Sequence, residues 1–176
     1  GRIDGTVASS QASADRLAGH GIPVLDLNSV DEISVYVDGA DESNHHLHLI
    51  KGGGGALTRE KIVAAASSRF VCIVDDGKRV KTLGAFPLPV EVVPFGWRTH
   101  DEAIRALGAD PSLRIGRGGE PILTDSGHYI IDCRFPSGIE DARLVDRVLS
   151  SRPGVVETGL FLGMIYLRTG SLWWAT

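Results

Sequence analysis

Two neighbouring segments concentrate the acid–base side chains of this chain: Asp38-Gly39-Ala40-Asp41-Glu42, and Lys51-Gly52-Gly53-Gly54-Gly55-Ala56-Leu57-Thr58-Arg59-Glu60-Lys61. The first closes the β-branched run Ile33-Ser34-Val35-Tyr36-Val37, so the pattern predicts carboxylates at the C-terminal end of a strand. The second is a glycine run that opens into a helix predicted over 59–68, with Lys51 just before it and Glu60 in the first turn. A helix start favours the ionised form of a carboxylate placed there. Carboxylates, an ammonium and exposed backbone N–H groups are the parts needed to move protons on a small anionic substrate.

Each part also has a plainer reading. Asp38 and Asp41 fit a turn or a helix cap as well as they fit a ligand-facing strand end. The glycine run fits a tight connection, although four residues that pack nothing and lose much chain entropy suit a backbone that approaches a ligand closely. It is not a phosphate loop of the Walker type, because the lysine precedes the glycines, and no alternating G-x-G marks a dinucleotide site. His45, His46 and His48 have no zinc-ligand spacing and read as loop histidines, so no metal and no cofactor are expected.

The elements that must position these residues alternate. A strand-like start within 1–10, a helix over 11–18 and strands over 22–27, 33–38 and 69–74 predict a parallel sheet with helices on both faces, with a capping box at Ser29 to Glu32. After Pro87-Leu88-Pro89 the order changes to strand, helix, two short strands near 122–125 and 128–133, helix 140–150, and a strand over Val155 to Phe161. A second capping box (Thr99 to Glu102) opens the first of those helices, and Leu144, Val145, Val148 and Leu149 form the core face of the second. The expected class is α/β: a Rossmann-like, mostly parallel sheet plus a small ferredoxin-like α+β lobe. Residues 1–88 and 156–176 form the main unit in this reading, and 89–155 the inserted lobe.

Bulk properties narrow the classes. At 176 residues and 43% hydrophobic the chain can bury a core, and 23% charged residues with a net charge of −4 and no basic run argue against nucleic acid as a partner. The apolar stretch Leu160 to Leu167 is too short to cross a bilayer, and no signal peptide opens the chain. Cys72 and Cys133 stand in no paired motif and read as buried, reduced thiols of a cytoplasmic protein.

With these residues in view, the chain resembles ribose-5-phosphate isomerase, type A. The resemblance runs through Val7-Ala8-Ser9-Ser10 with Ser13, Tyr36 to Glu42, Ile50 to Gly54, Ala56 to Ile62, Asp75 with Lys78, Phe86 to Val92, Pro153 to Val156 and Gly159 to Phe161. It implies interconversion of D-ribose 5-phosphate and D-ribulose 5-phosphate through an enediolate, without a metal. It implies that Glu60 is the base between C2 and C1, and that Asp38, Gly39, Ala40 and Asp41 bind the sugar and assist ring opening. Lys51, Gly52, Gly53 and Gly54 would bind substrate and stabilise the enediolate, and Lys78 would contact substrate. A homodimer or homotetramer follows from the same resemblance.

Two departures shape the remaining expectations. The family opens with a strand, a glycine-threonine-serine phosphate loop and a helix, and this chain starts after them; the segment following Met164, with Trp173 and Trp174, does not align. A truncated chain without that loop is expected to bind ribose 5-phosphate weakly, to aggregate and to turn over slowly. The competing readings are a non-catalytic sugar-phosphate sensor on the same scaffold and an inactive fragment of the isomerase.

Overall fold

The structure, a computed structural model, describes residues 3–162. Its elements are α1 (Gln11–Gly19), β1 (Tyr36–Gly39), β2 (Glu42–Ser43), β3 (Leu49–Ile50), α2 (Leu57–Ala66), β4 (Phe70–Ile73), β5 (Leu88–Val92), α3 (Asp101–Ala106), β6 (Asp110–Leu113), β7 (Tyr129–Arg134), α4 (Ala142–Ser150), β8 (Val155–Thr158) and β9 (Leu160–Phe161). The class is mixed α/β with parallel and antiparallel sheets. β1 pairs with β4 in parallel, β2-β3-β9 form a small antiparallel sheet, and β6-β7-β5-β8 form an antiparallel sheet of four strands.

Parallel pairing is less extensive than the sequence pattern predicts. Beyond β1–β4 it is carried by isolated bridges, Thr6 to Val24, Ile33 to Ser67 and Ser43 to Arg79. The segments 3–7 and 22–27 therefore meet at a bridge, where Thr6 N–H donates to Pro23 and Leu25 N–H donates to Thr6, and form no longer strand.

Two apolar clusters hold the molecule. One gathers Leu88, Val90 and Val92 of β5 with Ile131 and Cys133 of β7, Ile104 of α3, and Val145 and Leu149 of α4. The other gathers Tyr36 of β1, Phe70 and Cys72 of β4, Leu49 of β3, Val63 of α2 and Phe161 of β9. The two cysteines are thus free and buried in different clusters. Helix α4 buries Ala142, Val145 and Leu149, whereas Leu144, expected on the core face, is 40% exposed.

Several local expectations change for identifiable reasons. The second strand of the four-stranded sheet is β6, not 122–125. β6 contains Pro111, which hides it from a strand pattern; among the described residues it pairs only with β7, and an edge strand tolerates a proline. Neither capping box forms. Ser29 ends a short 3₁₀ turn capped by the Asp26 carboxylate, while Glu32 accepts from Ser68 Oγ at 3.2 Å. The Thr99 hydroxyl donates to Gly96 O at 2.8 Å, and α3 starts behind it without a side-chain cap.

The predicted strand over 155–161 is split at Gly159. β8 belongs to the four-stranded sheet and β9 to the sheet of β3. At the split, Gly159 donates its N–H to Pro89 O at 2.7 Å and accepts from Lys51 N–H at 2.9 Å. A Cβ there would overlap the Lys51 carbonyl oxygen and come within 2.9 Å of Pro89 Cδ. Only glycine permits that crossing, and the crossing fixes Lys51 against the lobe. The reading of the segment after Met164, Trp173 and Trp174 included, lies outside the described residues.

Candidate functional site

Alternation along β1 sends Tyr36 and Asp38 to one face. The Tyr36 hydroxyl hydrogen-bonds Asp38 Oδ2 and lies 3.3 Å from Ser9 Oγ, and Asp38 Oδ1 accepts the Gly39 N–H at 2.7 Å. The chain then turns. Asp41 N–H donates to Ile50 O at 2.8 Å, which lays the end of β1 beside the end of β3 and brings Lys51 to the same place.

Lys51 is almost wholly buried, at 3% exposure. Its Nζ donates to Asp38 Oδ2 at 3.0 Å and to the Gly39 carbonyl, and Glu60 Oε2 lies 3.2 Å away. The Phe161 ring underlies the ammonium at 5.6 Å. Glu60 Oε2 meets Lys51 at ion-pair distance, yet no donor among the described residues hydrogen-bonds it. The sequence segments containing Asp38, Lys51 and Glu60 thus converge on one buried ammonium.

The electrostatics are uneven. Burial, with help from the nearby Asp38, pushes the Glu60 carboxyl above the ordinary glutamate range, although Lys51 pulls it down. Burial opposes charge on Lys51, but Glu60 and Asp38 outweigh it and hold the ammonium above the usual lysine value. Desolvation therefore overrides the helix-start effect expected for Glu60. The result is a partly buried carboxylate with enhanced basicity beside a firmly protonated cation.

The glycine loop is held internally. Gly53 N–H donates to Asp41 Oδ2 at 2.7 Å, and a Cβ on Gly53 would sit 2.5 Å from Asp41 Oδ1. Gly54 faces open space, and its N–H has no protein acceptor among the described residues. Ala40 is buried behind the turn. Lys78 ends a 3₁₀ turn after β4. Its charge and that of Lys51 both act on the Cys72 thiol, which burial raises to about 11, but among the described residues no hydrogen bond or ion pair ties Lys78 to the Lys51 cluster.

His45, His46 and His48 stand on the β2–β3 turn, their neighbouring rings 3.7 and 5.7 Å apart. Among the described residues no three His, Cys, Asp or Glu side chains are grouped to hold a metal ion.

The partners of three supporting residues are not readable from the sequence around them. Glu91 of β5, 1% exposed, accepts from Thr58 Oγ1 at 2.5 Å and Thr124 Oγ1 at 2.9 Å and lies 2.9 Å from His128 Nδ1, tying the first turn of α2 to the lobe. Lys61 Nζ donates to Glu157 Oε1 at 2.7 Å and to the Thr158 and Leu160 carbonyls at 3.0 and 2.8 Å. Arg114 reaches from the end of β6 to the carbonyls of Gly52 and Gly53 at 2.9 and 3.2 Å. Each bond joins residues far apart in the chain. Tyr36 is different, since its i, i+2 relation to Asp38 is readable from strand alternation.

Comparison with known proteins decides the family. The family model of ribose 5-phosphate isomerase A (phosphoriboisomerase A) matches residues 5–168. The chain belongs to the ribose 5-phosphate isomerase A family. It is 53% identical over 161 residues to the ribose-5-phosphate isomerase A of Bordetella avium, covering 92% of this chain and 69% of that protein. With the enzyme of Bordetella petrii the identity is 54% over 160 residues, covering 91% and 68%.

Among solved structures, ribose 5-phosphate isomerase A of Neisseria gonorrhoeae superposes with a TM-score of 0.87 at 41% identity, over 99% of this chain and 74% of that one. A D-ribose-5-phosphate isomerase in complex with phospho-erythronic acid gives 0.85 at 39%, over 90% and 69%. The activity is that of ribose-5-phosphate isomerase, an aldose–ketose isomerase of the pentose phosphate pathway that interconverts D-ribose 5-phosphate and D-ribulose 5-phosphate.

Proposed function

We propose that Glu60 is the general base of this isomerisation, and that Asp38, Lys51 and the loop Gly52–Gly54 complete its site. The observation that carries this reading is the buried Lys51 ammonium within ion-pair distance of both Asp38, at 3.0 Å, and Glu60, at 3.2 Å. An aldose becomes a ketose when the proton on C2 moves to C1 and the carbonyl moves from C1 to C2. Glu60 removes the C2 proton, the electron pair forms the C1–C2 double bond, and the carbonyl oxygen becomes the enediolate oxyanion. Delivery of the same proton to C1, with proton exchange between the two oxygens, gives the ketose.

The raised affinity of Glu60 for a proton suits a base that must take one from carbon. A protonated Lys51 and an unengaged Gly54 N–H supply a cation and a donor for the oxyanion. Asp38, Gly39, Ala40 and Asp41 hold the sugar hydroxyls, with Asp38 assisting ring opening, and Lys78 contacts substrate from the turn after β4. The proposed ligand is a sugar phosphate, supported by the relative that carries phospho-erythronic acid, whose carboxylate resembles an enediolate. The same reading takes the protein as a cytoplasmic homodimer or homotetramer, supported by family membership.

Two structural units accompany the proposal: a Rossmann-like main unit and a ferredoxin-like lobe over 89–155. The second is supported by the sheet order β6-β7-β5-β8 with α3 and α4 as its connections, the first by the parallel pair β1–β4. The ring-opening assignment is tested with Asp38→Asn. Turnover of cyclic ribose 5-phosphate is expected to fall more than turnover of an open-chain analogue, and equal losses would remove the role.

A further inference from the structure

We infer that Arg114 is a positioning residue for the isomerisation: held by Asp132, it orients the peptides of the glycine loop so that the free Gly54 N–H faces the reacting oxygen. The inference rests on the reading of the site given above.

The Arg114 guanidinium is 14% exposed and makes a two-point pair with Asp132 of β7, Nε to Oδ2 at 2.8 Å and Nη2 to Oδ1 at 2.5 Å. That pairing uses one edge of the guanidinium and fixes its plane. The remaining nitrogen, Nη1, donates to Gly52 O at 2.9 Å and Gly53 O at 3.2 Å. A trans peptide places its N–H opposite its C=O. Anchoring the Gly52 and Gly53 oxygens therefore fixes where the Gly53 and Gly54 N–H groups point.

The two peptides differ in what their N–H groups do. Gly53 N–H is bound to Asp41 Oδ2 at 2.7 Å, so that peptide is held at both ends. The next peptide is held by Arg114 at its oxygen only, and its Gly54 N–H has no acceptor among the described residues. A cation on the oxygen also polarises the peptide and strengthens its N–H as a donor. Gly55 N–H also donates to Gly52 O at 2.9 Å, but among the described residues Arg114 is the lobe side chain that hydrogen-bonds the loop, and it alone of the two holds the Gly53 oxygen. Arg114 touches no reacting atom in this scheme; it acts through Gly54.

The test uses the full chain with Arg114→Lys and Arg114→Ala, read by amide resonances of Gly52–Gly55, by phospho-erythronic acid titration and by kinetics. In the parent protein, the analogue is expected to shift the Gly54 amide strongly. Arg114→Lys keeps the charge but loses the fork, so the free-state Gly53 and Gly54 amides should move and the analogue-induced Gly54 shift should shrink.

Turnover should fall about 10- to 100-fold in kcat with a smaller change in KM, the pattern of a donor used mainly in the transition state. Added guanidinium at millimolar concentration should restore part of the kcat of Arg114→Ala without changing its melting temperature. Unmoved Gly53 and Gly54 amides, a loss confined to KM, or moved amides with unchanged kcat would each overturn the inference. Should the parent chain lack turnover, the proposed function fails on that result, while the Gly54 response to the analogue still decides the role of Arg114.

Discussion

At the scale of single residues, the site is governed by what burial does to Glu60 and Lys51. Glu60 must be ionised to act as a base, and burial raises its pKa, so the acid limb of kcat/KM is expected above the ordinary glutamate value of about 4.3. Lys51 lowers the Glu60 pKa, so Lys51→Met should move that limb to higher pH while reducing kcat. A pH–rate profile checks both, and an acid limb that stays put or moves down in Lys51→Met would contradict the coupling.

The same shift bears on stability. A group whose folded pKa lies above its unfolded value gives stability that is present below the unfolded pKa and lost as pH rises through the folded one. Because the upward shift persists with Lys51 charged beside it, ionised Glu60 is a net cost to the fold near neutral pH. Glu60→Gln should therefore melt at an equal or higher temperature than the parent at pH 7, with the gap closing towards acid. Thermal melts across pH test this, and a lower melting temperature at pH 7 only would count against it.

At the scale of elements, the site depends on where β3, β5 and the β8–β9 corner cross. Gly159 makes that crossing possible, since a methyl group there would strike the Lys51 carbonyl and Pro89. Gly159→Ala should cost about 1–3 kcal/mol or more as the backbones separate, and should lower turnover because Lys51 moves with them. Urea unfolding and steady-state kinetics check it; an unchanged midpoint would show that the crossing is slack.

Sequence patterns captured much of this level. The strand carrying Asp38 was readable from its β-branched run, the helix carrying Glu60 from helix-forming residues after the glycine run, and the helix around Val145 from its apolar periodicity. What was not readable depends on distant partners. Gly159 looks like one more strand glycine until Pro89 and Lys51 lie against it, and Arg114 has no motif because Asp132 and the glycine loop come to it only on folding. Part of the glycine run is likewise explained inside the protein, since Gly53 is small because Asp41 fills the space a side chain would need. The expected capping boxes fail because Ser29 and Thr99 lie inside 3₁₀ turns and Ser68 engages Glu32.

At the scale of the whole molecule, the two apolar clusters are joined through polar ties, Glu91 to Thr58, Lys61 to Glu157 and Arg114 to the glycine loop. These ties fasten helix α2, which carries Glu60 and whose Val63 belongs to the Tyr36 cluster, to the four-stranded sheet. Native-state hydrogen exchange should accordingly give β5, β7, β1 and β4 amides that open in one cooperative unit with a common free energy. A β1–β4 pair opening several kcal/mol more easily than β5–β7 would mean that the ties do not couple the clusters.

The role proposed for Glu60 is that of the base carrying a proton between two carbons of ribose 5-phosphate. It is tested most directly by measuring turnover and phospho-erythronic acid affinity of Glu60→Gln beside the parent chain. Analogue binding is expected to stay within a few-fold and kcat to fall roughly 10²–10⁴-fold or more. Turnover of Glu60→Gln within a few-fold of the parent would contradict it.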